Sequence, residues 1–144
     1  MGFIISGYPG IGKTYLTQNS SLKVTDSDSS SFSWIEPGVR HPDFPQNYIN
    51  HIKKAINEFD IVVVSSHKVV RDALRENGLD FVVFYPSIES KEIYIERYKQ
   101  RGNNEKFIDL VNSNWESWIT EIESEEARKV KMVGDTFLSD YIIE

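Results

Sequence analysis

The chain has 144 residues, enough for one compact domain with a buried core and too few for two of ordinary size. Hydrophobic residues make up 40%, charged residues 26% and aromatics 12%, the balance of a folded globular domain and not of a disordered one. Sixteen Lys and Arg against 22 Asp and Glu leave a net charge of −6, which argues against tight nonspecific binding of nucleic acid while leaving room for a local basic groove. With no cysteine, disulfide frameworks, zinc ribbons and cysteine nucleophiles are excluded, and His41, His51 and His67 are too scattered to suggest a metal cage. No apolar run approaches the roughly 18–20 residues that span a bilayer. The apolar start, Phe3-Ile4-Ile5, has no basic segment ahead of it, so no membrane association and a cytoplasmic location are expected.

Short apolar runs alternate with segments of helical period, without an internal repeat or linker, so the pattern reads as one α/β domain over 1–144 with a single parallel sheet. Phe3-Ile4-Ile5-Ser6, closed by Gly7 and Pro9, predicts a buried strand, with a helix opening near Gly12. Val24-Thr25 predicts a weaker second strand, and the polar run from Asp26 to Ser31 predicts loop. Tyr48, Ile49, Ile52, Ala55, Ile56 and Phe59 recur at spacings of three and four, marking a helix from Gln46 to about Glu58. Together with the long polar stretch before it, this helix forms an insertion over about 29–59.

Ile61-Val62-Val63-Val64 is continuous and not alternating, as a strand covered on both faces should be, and belongs at the sheet centre. Lys68 to Asn77 reads as a helix ended by Gly78, and Phe81 to Phe84 as a fourth strand. Two helices follow, Ser90 to Arg101 and Asn104 to about Glu126, separated by Gly102-Asn103. The second carries a long apolar stripe of Ile108, Val111, Trp115, Trp118, Ile119 and Ile122. Val130 to Val133 predicts a fifth strand, Gly134-Asp135-Thr136 a turn, and Phe137 to Ile143 a short closing helix.

Chemistry enters at Gly7-Tyr8-Pro9-Gly10-Ile11-Gly12-Lys13-Thr14, which satisfies G-x-x-x-x-G-K-[ST] in full, directly after a strand and directly before a helix. Glycines are needed there because the loop must wind with its amide N–H groups pointing inward around a phosphate, in conformations a Cβ obstructs. The helix start adds its unpaired N–H groups and positive dipole end. Lys13 then reaches the β- and γ-phosphates of a nucleotide, and the Thr14 hydroxyl joins the shell of a Mg²⁺ ion bridging them. Gly7, Pro9, Gly10, Ile11, Gly12, Lys13, Thr14 and Tyr15 are the expected nucleotide-binding stretch.

The loop, the size and the strand–helix alternation resemble the small P-loop kinases of the nucleoside monophosphate kinase and shikimate kinase type, over nearly the whole chain. The resemblance implies a three-layer P-loop NTPase fold: a five-stranded parallel sheet with helices on both faces and a short lid, here about 97–106. It implies ATP and Mg²⁺ as cofactors. The usual hydrophobic strand ending in Asp is missing, because Ile61 to Val64 ends in Ser65-Ser66-His67 and Asp60 sits at the strand end away from the ligand. Larger P-loop ATPases and GTPases are therefore poor fits.

A carboxylate must come from elsewhere, and Asp26-Ser27-Asp28 follows the second strand. Two acids at i and i+2 can face the same side of a loop, or form a solvated Asp/Ser turn. The pattern is similar to the Asp-x-Asp of shikimate kinase-like enzymes, and the placement to the acid of polynucleotide kinases. This implies Asp26 on the metal side and Asp28 as the group that orients the acceptor hydroxyl, with either acid able to serve as base. Phe32, Trp34, His41 and Tyr48 lie in or beside the acceptor stretch, where aromatics sandwich a ring or pack the loop; Arg40 and His41 are its candidates for holding an acceptor phosphate.

Arg97 and Arg101 share one helix face just before the Gly102-Asn103-Asn104 hinge, and lid arginines of related kinases clasp the transferring phosphoryl group; surface ion pairs are the rival reading. Arg71 and Arg75 form a second such pair that is expected to face solvent, with Arg71 a minor candidate. Glu121, Glu123, Glu125 and Glu126 read as a soluble helix end. By the same resemblance, Gly134 and Thr136 lie where backbone groups cup adenine.

These observations lead to an ATP- and Mg²⁺-dependent kinase acting on a nucleotide or nucleoside-like acceptor. Few cations mark the acceptor region, so the chemistry leans toward a hydroxyl. Small phage-encoded P-loop kinases acting on nucleotides or on hydroxymethyluracil in DNA are similar in size and in the run Ile-Ile-Ser-Gly-Tyr-Pro-Gly-Ile-Gly-Lys, so a deoxynucleotide and a hydroxymethylated base in DNA both fit. A regulatory ATPase or switch and an inactive binding module are the rival classes.

Overall fold

A computed structural model describes residues 2–27, Phe32, 34–36 and 39–142. In chain order the elements are β1 (Phe3–Gly7), α1 (Lys13–Asn19), β2 (Val24–Asp26), β3 (Trp34–Glu36), β4 (Val39–Arg40), α2 (Gln46–Ala55), β5 (Ile61–Ser65), α3 (Lys68–Glu76), β6 (Val82–Pro86), α4 (Lys91–Gln100), α5 (Glu105–Ser124) and β7 (Arg128–Met132). Two 3₁₀ turns, Ile88–Ser90 and Leu138–Tyr141, join them. The chain is an α/β protein whose five-stranded parallel sheet, among the described residues, runs β2-β5-β1-β6-β7.

That order decides where the helices go. The β1-to-β2 connection steps across the sheet in one direction, while the later connections step the other way. With right-handed crossovers, α1 then lies on one face and α2 to α5 on the other. The chain leaving β1 diverges from those leaving β5 and β6, which opens a crevice at the carboxyl ends of the strands. β1 and β5 fill the middle of the sheet, paired from Phe3 with Ile61 through Gly7 with Ser65. All five β5 residues are buried, as the continuous apolar run requires.

On α2, Tyr48, Ile49, Ile52 and Ala55 are the buried face; on α5 it is Val111, Trp115, Ile119 and Ile122. The Asn104 side chain accepts a hydrogen bond from the Phe107 amide at 2.8 Å, capping α5 where the sequence predicts a break. Among the described residues no helix is long and apolar enough to cross a membrane.

Several boundaries differ from expectation, for identifiable reasons. β6 begins at Val82 and not Phe81, because parallel pairing with β1 starts at Ile5 opposite Val82. β7 spans Arg128–Met132, earlier than the apolar run suggests, since one edge of this strand is unpaired and its charged residues alternate with Val130 and Met132. The closing helix is a 3₁₀ turn. Within the stretch expected to be loop, β3 and β4 form an antiparallel two-stranded sheet, too short to stand out in the sequence. The expected lid over 97–106 consists of the end of α4, the connection 101–104 and the start of α5.

Candidate functional site

The glycine loop leaves β1 and is fastened by its carbonyls. The Tyr98 hydroxyl donates to the Pro9 carbonyl at 2.7 Å, Nη1 of Arg97 donates to Gly10 O at 2.8 Å, and the Leu138 amide donates to Ile11 O at 2.7 Å. Three successive carbonyls are thus drawn toward the protein. In a trans peptide the next N–H points opposite to the C=O, so the amides of Gly10, Ile11 and Gly12 are aimed away from those donors. Among the described residues none of these three amides has a protein acceptor. The outcome is a row of free donors at the start of α1, the arrangement that receives an anion.

Two glycines make this winding possible. Gly10 has φ 90° and Gly12 φ 95°. A Cβ on Gly10 would stand 2.8 Å from Cε1 of Tyr98, and one on Gly12 2.9 Å from Cδ1 of Phe137. The loop therefore rests directly on aromatic rings. Below it Tyr8, Tyr94 and Trp115 form a buried cluster, with each tyrosine ring centroid 5.6 Å from the Trp115 ring. Burial pushes the Tyr94 phenol up to about 12 and raises Tyr8 and Tyr98 as well, so Tyr98 remains protonated and keeps donating to Pro9.

The loop forms one end of a cavity of about 800 Å³. Gly7, Pro9, Gly10, Gly12, Lys13, Thr14 and Asp26 line it there, Ser65, Ser66 and His67 bring in the carboxyl end of β5, and Arg101, Asn103 and α5 side chains line the rest. Thr14 and Asp26 bring a hydroxyl and a carboxylate to one space, hard oxygen donors of the type Mg²⁺ takes alongside phosphate and water. Among the described residues no group of three or more His, Cys, Asp and Glu forms a metal cage.

The segment after β2 is held from two sides. The Ser27 amide donates to Val63 O at 2.8 Å, the Tyr48 hydroxyl donates to Ser27 O, and Ser27 Oγ lies 3.1 Å from Nε2 of His51. His51 in turn stacks on Phe32 at 4.8 Å. Tyr48 and Phe32 thus pack the segment after β2 onto the domain. Asp28 lies outside the described residues, as does the side chain of Trp34, whose backbone belongs to β3.

Other expected residues are distributed differently. Arg97 is nine-tenths buried, its guanidinium between the rings of Tyr94 and Phe137 at 4.5 and 3.9 Å, and Nη2 donates to Asp135 at 2.9 Å and to Thr136 O at 2.7 Å. With its terminal nitrogens engaged by the protein, Arg97 faces the cavity as a tie between the glycine loop and the 134–136 turn and not as a mobile clasp. Arg101 lines the same cavity and is exposed. Ile11 is fully buried and Tyr15 sits by a separate, smaller hollow near Ser139; neither reaches the main cavity. Arg40 lies over Phe44 at 5.5 Å, and His41 accepts the Asp43 amide at 3.1 Å through Nδ1; both are away from the cavity. Gly134 is exposed outside it, and the Thr136 hydroxyl lies 2.9 Å from Val133 O, to which it donates, and 3.0 Å from the Tyr141 hydroxyl.

Arg71 is the clearest correction. It is 2% exposed and not on the surface, donating to Ser66 O and pairing with Glu121 at 2.8 Å and with Glu125. The acidic end of α5 accordingly pairs with the buried Arg71 and, through Glu125, with the more exposed Arg75 at 2.8 Å. Burial raises the Glu125 carboxyl, but hydrogen bonds from Arg71 and Arg75 outweigh it and hold the group below the usual range. Glu123 is lowered by Lys131 and accepts from Tyr85.

Sequence reasoning missed Ser66 and His67 as cavity residues, the Ser27–His51 contact, and the α5 side chains of the cavity lining. Glu121 and Glu125 lie 50 and 54 residues from Arg71, so no local signal marked the pairing. A scan against protein-family models and a search of curated proteins both found no match to this chain.

Proposed function

We propose that the chain is an ATP- and Mg²⁺-dependent phosphotransferase of the P-loop NTPase fold, acting on a hydroxyl of a nucleotide or nucleoside-like acceptor. The observation that carries this reading is the carbonyl-fastened loop, whose free amides at Gly10 and Gly12 stand beside Lys13 at a cavity that also takes in Asp26. The strand order β2-β5-β1-β6-β7, with the glycine loop after the central β1, supports it further.

In this reading the amides and Lys13 hold the β- and γ-phosphates. Thr14 and Asp26 would hold Mg²⁺, which would supply charge neutralisation. The acceptor oxygen forms a bond to the γ-phosphorus as the bond from that phosphorus to the β,γ-bridging oxygen breaks. ADP leaves, and the hydroxyl proton passes to a carboxylate of the Asp26–Asp28 pair and then to water. Because the transition state is loose, the carboxylate serves chiefly to aim the hydroxyl. Arg101 offers a cation to the transferring group from the α4 end. A deoxynucleotide and a hydroxymethylated pyrimidine base in DNA are the acceptors that fit best.

The test is a screen of nucleosides, nucleotides and modified DNA for ATP-dependent phosphate incorporation. Asp28→Asn is expected to cut turnover while MgATP affinity stays nearly unchanged; unchanged turnover would move the acceptor role to another residue. Hydrolysis of ATP without acceptor as fast as with any acceptor would instead favour a regulatory ATPase.

A further inference from the structure

The carboxyl end of β5 is fastened in the same manner as the glycine loop. The Ser6 hydroxyl donates to Ser65 O at 2.9 Å, Nη1 of Arg71 donates to Ser66 O, and the Val70 and Arg71 amides donate to His67 O at 3.0 Å. The Ser65 amide is held as well, by the Tyr48 hydroxyl at 3.3 Å. Donors from β1 and α3 thus fix three successive peptide planes, and with them the direction of the side chain between each pair. The Arg71 guanidinium is itself clamped: it is 2% exposed and pairs with Glu121 at 2.8 Å and with Glu125. A buried ion pair adds little net stability over apolar packing, so the contribution of this clamp is to position.

Held between these ties, Ser66 is 8% exposed and lines the cavity. Its hydroxyl has no hydrogen-bond partner among the described residues, yet the oxygen is not sealed inside the protein. A hydroxyl withdrawn from bulk water and left unbonded is costly until a ligand completes it.

The sheet register says which ligand group passes there. Gly7 pairs with Ser65, and a Cβ on Gly7 would stand 3.4 Å from Cε of Lys13, so the lysine side chain folds back over the boundary of β1 and β5. On the other side Asp26 pairs with Val63, and β5 runs on past it to Ser65. Ser66 therefore lies one residue beyond the strand end, between the lysine on the β1 side and the carboxylate on the β2 side. Neighbouring strands lie about 4.8 Å apart and each residue advances about 3.3 Å, a gap that one phosphoryl group with a hydrogen bond on each side can span. A neutral hydroxyl can donate to an anion there, which a carboxylate cannot.

We infer that the Ser66 hydroxyl donates to a non-bridging oxygen of the terminal phosphoryl group of the bound nucleotide, and that Arg71 is the positioning residue that aims it. This rests on the phosphotransferase reading and adds a contact to its phosphate site. Arg71 acts through the Ser66 carbonyl, and Glu121 and Glu125 keep its guanidinium in place.

Calorimetric titrations with MgADP and with a non-hydrolysable MgATP analogue test this, because only the analogue carries the group that Ser66 contacts. Ser66→Ala removes a single oxygen atom and is expected to weaken analogue binding about tenfold, the scale of a hydrogen bond to a charged group, with MgADP affinity unchanged. Arg71→Lys is expected to reproduce that selective loss, and the double variant to lose no more than Ser66→Ala alone. Should Arg71→Lys fail to fold, Glu121→Ala, at a side chain 40% exposed, takes its place in the cycle. Analogue affinity unchanged in Ser66→Ala overturns the inference, and so does an equal fall in affinity for both nucleotides. Additive losses in the double variant overturn the positioning role, since Arg71 would then reach the site by another route. Wild-type protein that binds neither nucleotide removes the phosphotransferase reading itself, whereas wild-type binding with indifference to Ser66 removes only this contact.

Discussion

The two ends of the cavity are built on opposite principles. At the glycine end every carbonyl from Pro9 to Ile11 has a donor from a distant element, two positive-φ glycines press on aromatic rings, and the supporting phenols are buried. Along α5 the lining is instead a helix face on which Leu110 is exposed and Phe107 and Trp118 are only partly covered. The first end is over-determined and the second is permissive. In the proposed phosphotransferase reading, a fixed row of amides would serve a triphosphate without reorganisation.

The sharpest break of this contrast is Lys13→Ala, expected to lower phosphate transfer by at least roughly 100-fold, measured as labelled phosphate incorporated from ATP. Gly10→Ala tests the rigidity directly, because it combines a φ of 90° with a Cβ contact of 2.8 Å to Tyr98. The strain of about 1–2 kcal/mol is expected to weaken MgATP binding by roughly 5- to 30-fold. Calorimetry with wild-type affinity in this variant would mean the loop is looser than drawn. Tyr98→Phe removes a single fastener, the hydroxyl on Pro9 O. A loss of about 0.5–1.5 kcal/mol should appear as a small fall in nucleotide affinity, with the thermal midpoint lowered alongside.

The smallest effect lies outside the cavity. The Glu125 carboxyl sits below its unfolded value, near 4.3, because Arg71 and Arg75 outweigh the opposing effect of burial. Its stabilisation is therefore complete above that pH and lost as pH falls through the lower folded value. Thermal melts from pH 7 to pH 3 should show this decline in the wild type and a shallower one in Glu125→Gln. Equal slopes would place the acid sensitivity in other carboxylates.

Much of the sheet was legible because its strands are continuous apolar runs, and the glycine loop because positive φ and close approach leave few residue choices. The β3–β4 hairpin left no clear signal, since its strands are only three and two residues long and depend on pairing with each other. Arg97 and Arg101 read alike four residues apart, yet one is nearly buried and the other exposed. That difference comes from Gly10 and Thr136, 87 and 39 residues away from Arg97. Arg71 shows the same effect, with its Glu125 partner 54 residues on.

Residue type and spacing alone determined the alternation of strands and helices, the anion-ready loop and the period of the long α5 stripe, because backbone conformation and periodicity are local properties. Only the packed structure decided which carbonyls the loop surrenders, which arginines become ties within the protein, and which part of the α5 stripe faces the cavity. Those outcomes depend on partners brought together from far along the chain, and no local pattern encodes a contact whose other half is dozens of residues away.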